Sequence, residues 1–117
     1  MRMWDIEFTD QFEDWWDTLS VKEQGLIKAA VDMLQERGPG LGRPYVDTVI
    51  GSRHPNMKEL RPGTIRVLFA FDPTRTAILL IGGDKRDRWK AFYEEMIPLA
   101  DDLFDVHLAE IETEGGT

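Results

Sequence analysis

The side chains best suited to chemistry in this chain are cations gathered around one phenol and one carboxylate. They occupy two short stretches, residues 58–66 and 85–93. Arginine offers planar bidentate donors and lysine a point charge, so such a set suits a phosphodiester, whose transition state spreads negative charge over its oxygens. The set consists of Lys58, Glu59, Arg61, Arg66, Lys85, Arg86, Arg88 and Tyr93.

Arg66 is the cation that is hardest to explain as a solvated surface charge. It lies between Ile65 and Val67 on a predicted central strand, where a charge is costly unless it meets an anion. Arg61 flanks the same tight turn, and because neighbouring antiparallel strands lie about 4.8 Å apart, both arginines can reach one edge of the sheet. Trp89 is placed to stack on a nucleobase, although such an aromatic more often anchors its helix. The remaining cations also fit a simpler interpretation, as charges on exposed strand and helix faces.

The charge of the chain is distributed unevenly. The 117 residues carry a net charge of -8, which argues against a general binder of nucleic acid. From Arg53 to Lys90, however, there are nine Lys and Arg residues and four acids, whereas the remainder holds five bases and eighteen acids. Such a pattern either attracts one anionic ligand locally or simply reflects exposed strand faces.

Several familiar kinds of site are excluded by the composition. The chain has no cysteine, which excludes thiol catalysis and thiolate metal sites. His54 and His107 have no companions at ligand spacing, so neither a metal site nor a cofactor is expected. The longest aliphatic run, residues 77–81, is too short to span a membrane, and the first eight residues lack the apolar segment of a secretory signal. We therefore expect a cytoplasmic protein that makes no membrane contact.

The elements that must position these residues follow from hydrophobic periodicity. Alternation predicts an N-terminal strand, and spacings of three and four residues predict two helices, the first capped by Thr9 or Asp10 and the second by Ser20 with Glu23. Turn residues then separate the three strands of an antiparallel meander, and a long helix follows. The predicted strands are 3–8, 57–61, 64–71 and 76–82, with a weaker turn of strand at 46–50. The predicted helices are a short one around 12–19, then 21–37 and 87–111.

This order of elements predicts an α+β domain with helices packed on a mainly antiparallel sheet. The domain is expected to span residues 1–117, with 112–117 as a frayed tail. In the middle strand, Arg66 shares a face with Leu68 and Ala70, because successive strand residues point to opposite faces. Gly82 and Gly83 are interpreted as the sharp exit from the last strand into the long helix.

Residues 57–100 carry a recognisable pattern. It consists of Met57-Lys-Glu-Leu-Arg61, Gly63, Arg66-Val-Leu-Phe-Ala-Phe-Asp72, Leu79-Leu-Ile-Gly-Gly-Asp-Lys85, Trp89, Tyr93 and Ile97-Pro-Leu-Ala100. This pattern resembles the RelE/HigB family of bacterial toxins, and most closely its phage-derived HigB-like branch. The resemblance covers residues 3–111 and is specific in 57–100.

The resemblance implies the RelE-like fold and the toxin of a type II toxin–antitoxin system. Such toxins are mRNA endoribonucleases, or mRNA interferases, that inhibit translation at the ribosome, using the 2′-hydroxyl of the substrate and no metal. The implied catalytic residues are Arg66 and Arg61 at the phosphate, Lys85 at the developing charge, and Tyr93 or Glu59 for proton transfer. The implied RNA-binding residues are Lys58, Arg86, Arg88 and Trp89. The implied partners are mRNA, the ribosome and a cognate helix-turn-helix antitoxin, which alone would contact operator DNA.

Two other functions on the same fold remain open. A ParE-like toxin that inhibits DNA gyrase through protein contacts would not need Lys85, Arg86 or Tyr93. A non-catalytic corepressor would only bind a DNA-binding antitoxin and repress its own operon. Product analysis after incubation with translating ribosomes separates a nuclease from these two non-nuclease functions.

Overall fold

The computed structural model describes residues 3–86 and 88–115 as an α+β fold. Its strands are β1 (Asp5–Phe8), β2 (Val46–Thr48), β3 (Lys58–Leu60), β4 (Ile65–Phe71) and β5 (Thr76–Asp84). Its helices are α1 (Asp10–Trp16), α2 (Val21–Arg37) and α3 (Trp89–Gly115), with a short 3-10 turn at Gly38–Gly40. Within this described part, no helix combines the length and the apolar character that crossing a bilayer requires.

The strands form one five-stranded sheet in the order β1-β5-β4-β3-β2. The central strand β4 pairs antiparallel with β3 on one side and with β5 on the other. β2 continues the antiparallel pairing beyond β3, whereas β1 pairs parallel with β5 at the opposite edge. The predicted class and order of elements are therefore confirmed, and the strands predicted at 3–8 and, more weakly, at 46–50 extend the three-stranded meander to five strands.

Each face of the sheet covers its own hydrophobic core. Val67 and Phe69 of β4 pack under α1 and α2, whereas Leu68 and Ala70 pack under α3. This division follows from the alternation of side chains along a strand. Arg66 consequently lies on the α3 face of the sheet.

The ends of the helices follow from local hydrogen bonds. Thr9, and not Asp10, caps α1, because its hydroxyl accepts from the backbone N–H of Phe12 at 3.0 Å. Ser20 and Glu23 form the predicted capping box at the start of α2. The last helix begins at Trp89 and continues to Gly115, beyond the predicted end at 111. Residue 87, the predicted helix start, and residues 116 and 117 of the predicted tail lie outside the described residues.

The interpretation of the glycine pair as a strand exit was wrong. β5 runs through both glycines to Asp84. A Cβ at Gly82 would lie 2.3 Å from the ring of Trp15 on α1, and a Cβ at Gly83 would lie 2.7 Å from the ring of Phe92 on α3. Glycine is required here because helices approach the strand closely on both faces.

Gly38 provides a test of how α2 ends. Its backbone has φ +57° and ψ -139°, and a Cβ there would lie 2.2 Å from Nε1 of Trp4. We expect Gly38→Ala to lower the free energy of unfolding by about 1–3 kcal/mol, since it adds backbone strain and displaces the indole. Urea denaturation measures this loss. Gly40→Ala is the matched control, because the space around its Cβ is open, and equal stability of the two variants would contradict the prediction.

Candidate active site

The α3 face of the sheet brings four of the predicted site residues together. β3 pairs with β4 so that Glu59 stands opposite Leu68, which shares its face with Arg66. Arg61 directly follows β3, on the other side of the turn from Arg66 at the start of β4. Tyr93 lies in the second turn of α3, which covers this face. We call these four residues the central site: Glu59, Arg61, Arg66 and Tyr93.

Arg66 is held rigidly and keeps an unused donor. The residue is only 5% exposed. Its Nη1 donates to the backbone carbonyls of Gly63 and Ile65, each at 2.8 Å, which fixes the guanidinium against the turn between β3 and β4. Its buried Nε has no hydrogen-bond partner among the described residues. A charge buried in this way is costly unless an anion compensates it, which makes Arg66 a candidate anion-binding residue.

A hydrogen bond joins Tyr93 to Glu59. The Tyr93 hydroxyl donates to Oε1 of the buried Glu59 at 2.7 Å. Burial raises the pKa of Tyr93 to about 12, the hydrogen bond and charge of Glu59 act in the same direction, and Arg66 acts against them. The phenol therefore stays protonated at neutral pH, so Tyr93 is suited to donate a proton and Glu59 to accept one.

Arg61 adds a second cation beside Glu59. Its Nε lies 3.8 Å from Oε2 of Glu59, and its Nη1 lies 3.8 Å from Oδ2 of Asp47. As in Arg66, the Nε is buried and makes no hydrogen bond within the described part of the chain. The central site thus combines two guanidinium donors with one proton donor and one proton acceptor, which is the set that phosphodiester transfer requires.

The raised pKa of Tyr93 can be measured directly. We expect the difference in alkaline absorbance titration between the wild-type protein and Tyr93→Phe to show a midpoint at about pH 12. Because this pKa lies above the usual 10.0, the stabilising effect of the neutral phenol is complete below pH 10 and is lost as the pH rises through about 12.

Glu59→Gln is the informative second variant in that titration. It keeps a hydrogen-bond acceptor for Tyr93 and removes the negative charge, so the midpoint should move downward. A Tyr93 midpoint of 10 in the wild-type protein, or a midpoint that Glu59→Gln leaves unchanged, would contradict this account.

Lys85 and Arg86 lie at the rim of the central site. The backbone N–H of Lys85 donates to the carbonyl of Thr64 at 3.2 Å, which places Lys85 beside the turn that holds Arg66. Arg86 is exposed and pairs with Asp84 at 3.0 Å. The backbone N–H of Arg86 also donates to Asp84 and lowers the pKa of that carboxyl. Both residues therefore follow β5 beside the turn between β3 and β4.

Lys58 and Arg88 lie further from the central site. Lys58 pairs with Phe69, whose ring packs under α1 and α2, and its Nζ donates to the hydroxyl of Thr48 at 3.3 Å. It therefore extends from the face opposite to Glu59, as its place in the strand predicts. Arg88 is exposed beside α3 and pairs with Glu95 at 3.4 Å. The structure does not bring these two cations into the central site.

Two residues next to the central site were not singled out from the sequence. Asp47 of β2 stands opposite Glu59 and approaches Arg61. Ile50 is 91% exposed and, with Trp89, borders a groove that reaches Tyr93. Both residues fall in the stretch 41–56, whose weak periodicity gave no signal of where they lie.

The described residues bring no three His, Cys, Asp or Glu side chains together in a way that could hold a metal ion. The expectation that the chemistry needs no metal stays a prediction.

The fold is that of RelE-type toxins, which solved structures share. A chain of the RelB–RelE antitoxin–toxin complex from Methanococcus jannaschii is similar with a TM-score of 0.58 and 14% identity, over 74% of this chain and 98% of that chain. Residues 14–105 match the family described as phage derived protein Gp49-like (DUF891). The chain belongs to this family and, with it, to the RelE/HigB toxin superfamily.

Two relatives from Mycobacterium tuberculosis, both inferred to be toxins, support this membership. HigB2 is 49% identical over 108 residues, which cover 88% of this chain and 54% of HigB2. HigB3 is 50% identical over 101 residues, which cover 85% of this chain and 89% of HigB3. This chain therefore matches about half of the length of HigB2 and nearly all of HigB3.

Proposed function

We propose that this chain is the toxin of a type II toxin–antitoxin pair and a metal-independent endoribonuclease that cuts mRNA at the translating ribosome. The observation that carries the proposal is the buried Arg66, whose guanidinium acts on Tyr93, which in turn donates a hydrogen bond to Glu59. The identity of about half of the residues with HigB2 and HigB3 supports it. The whole activity is assigned to a single domain spanning 1–117.

Arg66 and Arg61 bind the scissile phosphate in this proposal. Two backbone carbonyls hold the Arg66 guanidinium before the phosphate arrives, and Arg61 lies near Glu59 and Asp47, each at 3.8 Å. Such fixed donors lower the barrier because they need no rearrangement as charge develops on the phosphate oxygens. Lys85 and Arg86 add positive charge at the rim.

Glu59 and Tyr93 move the protons. Glu59 accepts the proton of the 2′-hydroxyl as the 2′-oxygen attacks phosphorus, and Tyr93 donates its proton to the 5′-oxygen as the P–O5′ bond breaks. The products are a 2′,3′-cyclic phosphate and a 5′-hydroxyl. The proton then passes from Glu59 to Tyr93 along their 2.7 Å hydrogen bond, which restores both groups.

RNA on either side of the cut would lie along the basic stretch and Trp89. Trp89 is 63% exposed and available to stack on a base. Lys58 and Arg88 would contact phosphates further along the strand. Because the proposed substrate is mRNA at the ribosome, the protein would act in the cytoplasm.

The proposed partner is a helix-turn-helix antitoxin, and operator DNA would be bound only through it. Because the basic middle of the chain contrasts with its acidic remainder, the antitoxin is expected to cover the basic stretch or to block entry to the ribosome. The interface should bury at least about 1,000 Å². Co-expression with the product of the adjacent gene and pull-down tests this partner.

The activity is tested by adding the protein to ribosomes that translate a defined mRNA and mapping the ends of the products. We expect 2′,3′-cyclic phosphate and 5′-hydroxyl ends, and cleavage of a short ribosome-free RNA that persists in EDTA. Intact mRNA together with inhibited DNA gyrase would instead indicate a ParE-like toxin. Intact mRNA, unaffected gyrase and repression of the operon with the antitoxin would indicate a corepressor.

A further inference from the structure

A groove of about 320 Å³ opens directly beside the central site. One wall is Ile50 with Gly51, on the segment between β2 and β3, and the other is the start of α3. Trp89, Tyr93, Ile97 and Pro98 provide its apolar surface, with Lys90 and Glu94 also in its lining. We call this groove the base slot.

The two residues that border the base slot are unusually exposed for their type. Ile50 is 91% exposed and Trp89 is 63% exposed. Burial of such side chains is favourable, and neither is buried by a described residue. Ile50 therefore presents an apolar side chain, and Trp89 an aromatic ring, on the surface of the same groove.

The segment that carries Ile50 is fixed to α3 by hydrogen bonds and ion pairs. The hydroxyl of Ser52 and the backbone N–H of Arg53 both donate to the buried carboxylate of Asp101, the latter at 2.9 Å. The Arg53 guanidinium pairs with Asp102 at 3.1 Å, and His54 contacts Asp105 at 2.7 Å. The chain is therefore anchored to α3 from two residues after Ile50, and Ile50 and Trp89 line the same groove.

We infer that the base slot holds one nucleobase of the RNA, stacked on Trp89 and clamped by Ile50. Nucleobases have an apolar π-face and polar edges, and single-stranded RNA is bound by stacking such bases on aromatic side chains. Lys90 offers a donor and Glu94 an acceptor for the edge of the base. This inference rests on the ribonuclease function proposed above and assigns a new role to Ile50.

The position of Tyr93 indicates which base of the RNA would enter the slot. Its ring lines the slot, and its hydroxyl belongs to the central site. In the proposed chemistry this hydroxyl protonates the 5′-oxygen, which belongs to the nucleotide on the 3′ side of the cut. The base of that nucleotide is therefore the one nearest to the slot.

The test combines an altered slot with altered RNA. Short RNAs that lack the base immediately 3′ or immediately 5′ of the cut are compared with the complete RNA, using the wild-type protein and Ile50→Ser. We expect Ile50→Ser and loss of the 3′ base each to lower kcat/KM by about 10- to 100-fold. When both changes are combined, the decrease in kcat/KM should be much smaller than the product of the two separate factors. Val21→Ser, which changes an 86% exposed residue on α2, should leave kcat/KM unchanged.

The outcomes separate this inference from the proposed function. Binding of the protein to an RNA with a 2′-deoxy residue at the cut is monitored by tryptophan fluorescence. The RNA should quench the fluorescence of the wild-type protein, and Trp89→Phe should remove this quenching. If the protein cleaves RNA but the two losses multiply, or if the 5′ base couples to Ile50 instead, the slot assignment is wrong and the nuclease function stands. If mRNA is neither bound nor cleaved on the translating ribosome, both are wrong.

Discussion

Arg66→Ala should lower the rate of RNA cleavage by roughly 10²- to 10³-fold and abolish growth inhibition. Arg66 is buried on the central strand, and its Nη1 donates to two backbone carbonyls that fix the guanidinium. Its Nε has no hydrogen-bond partner among the described residues. Removing it deletes a fixed donor to the phosphate where negative charge develops. Single-turnover cleavage of a short RNA measures the effect.

The substitution leaves the carbonyls of Gly63 and Ile65 without this donor, so we expect the variant to be less stable than the wild-type protein but still folded. Circular dichroism, thermal melting and binding to the antitoxin test that point. Arg37→Ala is the matched control, since Arg37 is an exposed arginine at the end of α2, under the other face of the sheet. A fully active Arg66→Ala variant would show that Arg66 is not catalytic, and a variant that is inactive because it unfolds would make Arg66 structural.

Glu59→Gln should lower cleavage by roughly 10²- to 10⁴-fold, the range for loss of a general base. Glutamine keeps an oxygen that can accept from Tyr93, so the hydrogen bond and the packing are retained. What is lost is the ability to take the proton of the 2′-hydroxyl. Single-turnover cleavage of the same short RNA measures this loss.

Asp47→Asn is the control for Glu59→Gln. Asp47 also approaches Arg61, at 3.8 Å, but Tyr93 donates to Glu59. Asp47→Asn changes the charge around Arg61 by the same amount as Glu59→Gln, and it should lower the rate of RNA cleavage by less than about tenfold. Equal losses in the two variants would mean that Glu59 acts through its charge on Arg61 and does not transfer a proton.

The order of the elements could be predicted because each long element carries its own signal. The capping box of Ser20 and Glu23 and the apolar spacing of α2 are local, and the structure reproduces both. β2 has only three residues and pairs through the backbone, so its periodicity was weak. Gly82 and Gly83 misled the prediction because their role depends on rings from two distant helices.

The site was predictable only in part, for a similar reason. Arg66 was recognisable because its sequence neighbours are apolar. The contact between Tyr93 and Glu59 joins residues 34 positions apart, and no local pattern encodes it. Asp47 and Ile50 acquire their positions from the pairing of β2 and from the ion pairs of Arg53, which are properties of the folded chain.

The contact of Phe92 with Gly83 has a consequence for how this protein can diversify. Gly83 is the ladder partner of Arg66, and Phe92 precedes Tyr93 on α3. A ring that rests on bare backbone thus sets the spacing between the strand of Arg66 and the helix of Tyr93. Any larger residue at position 83 would push that helix outward. Exposed residues of the helix that contact neither the sheet, the base slot nor the Arg53 segment are under no such constraint, so they can change to suit new binding partners while the reacting groups keep their alignment.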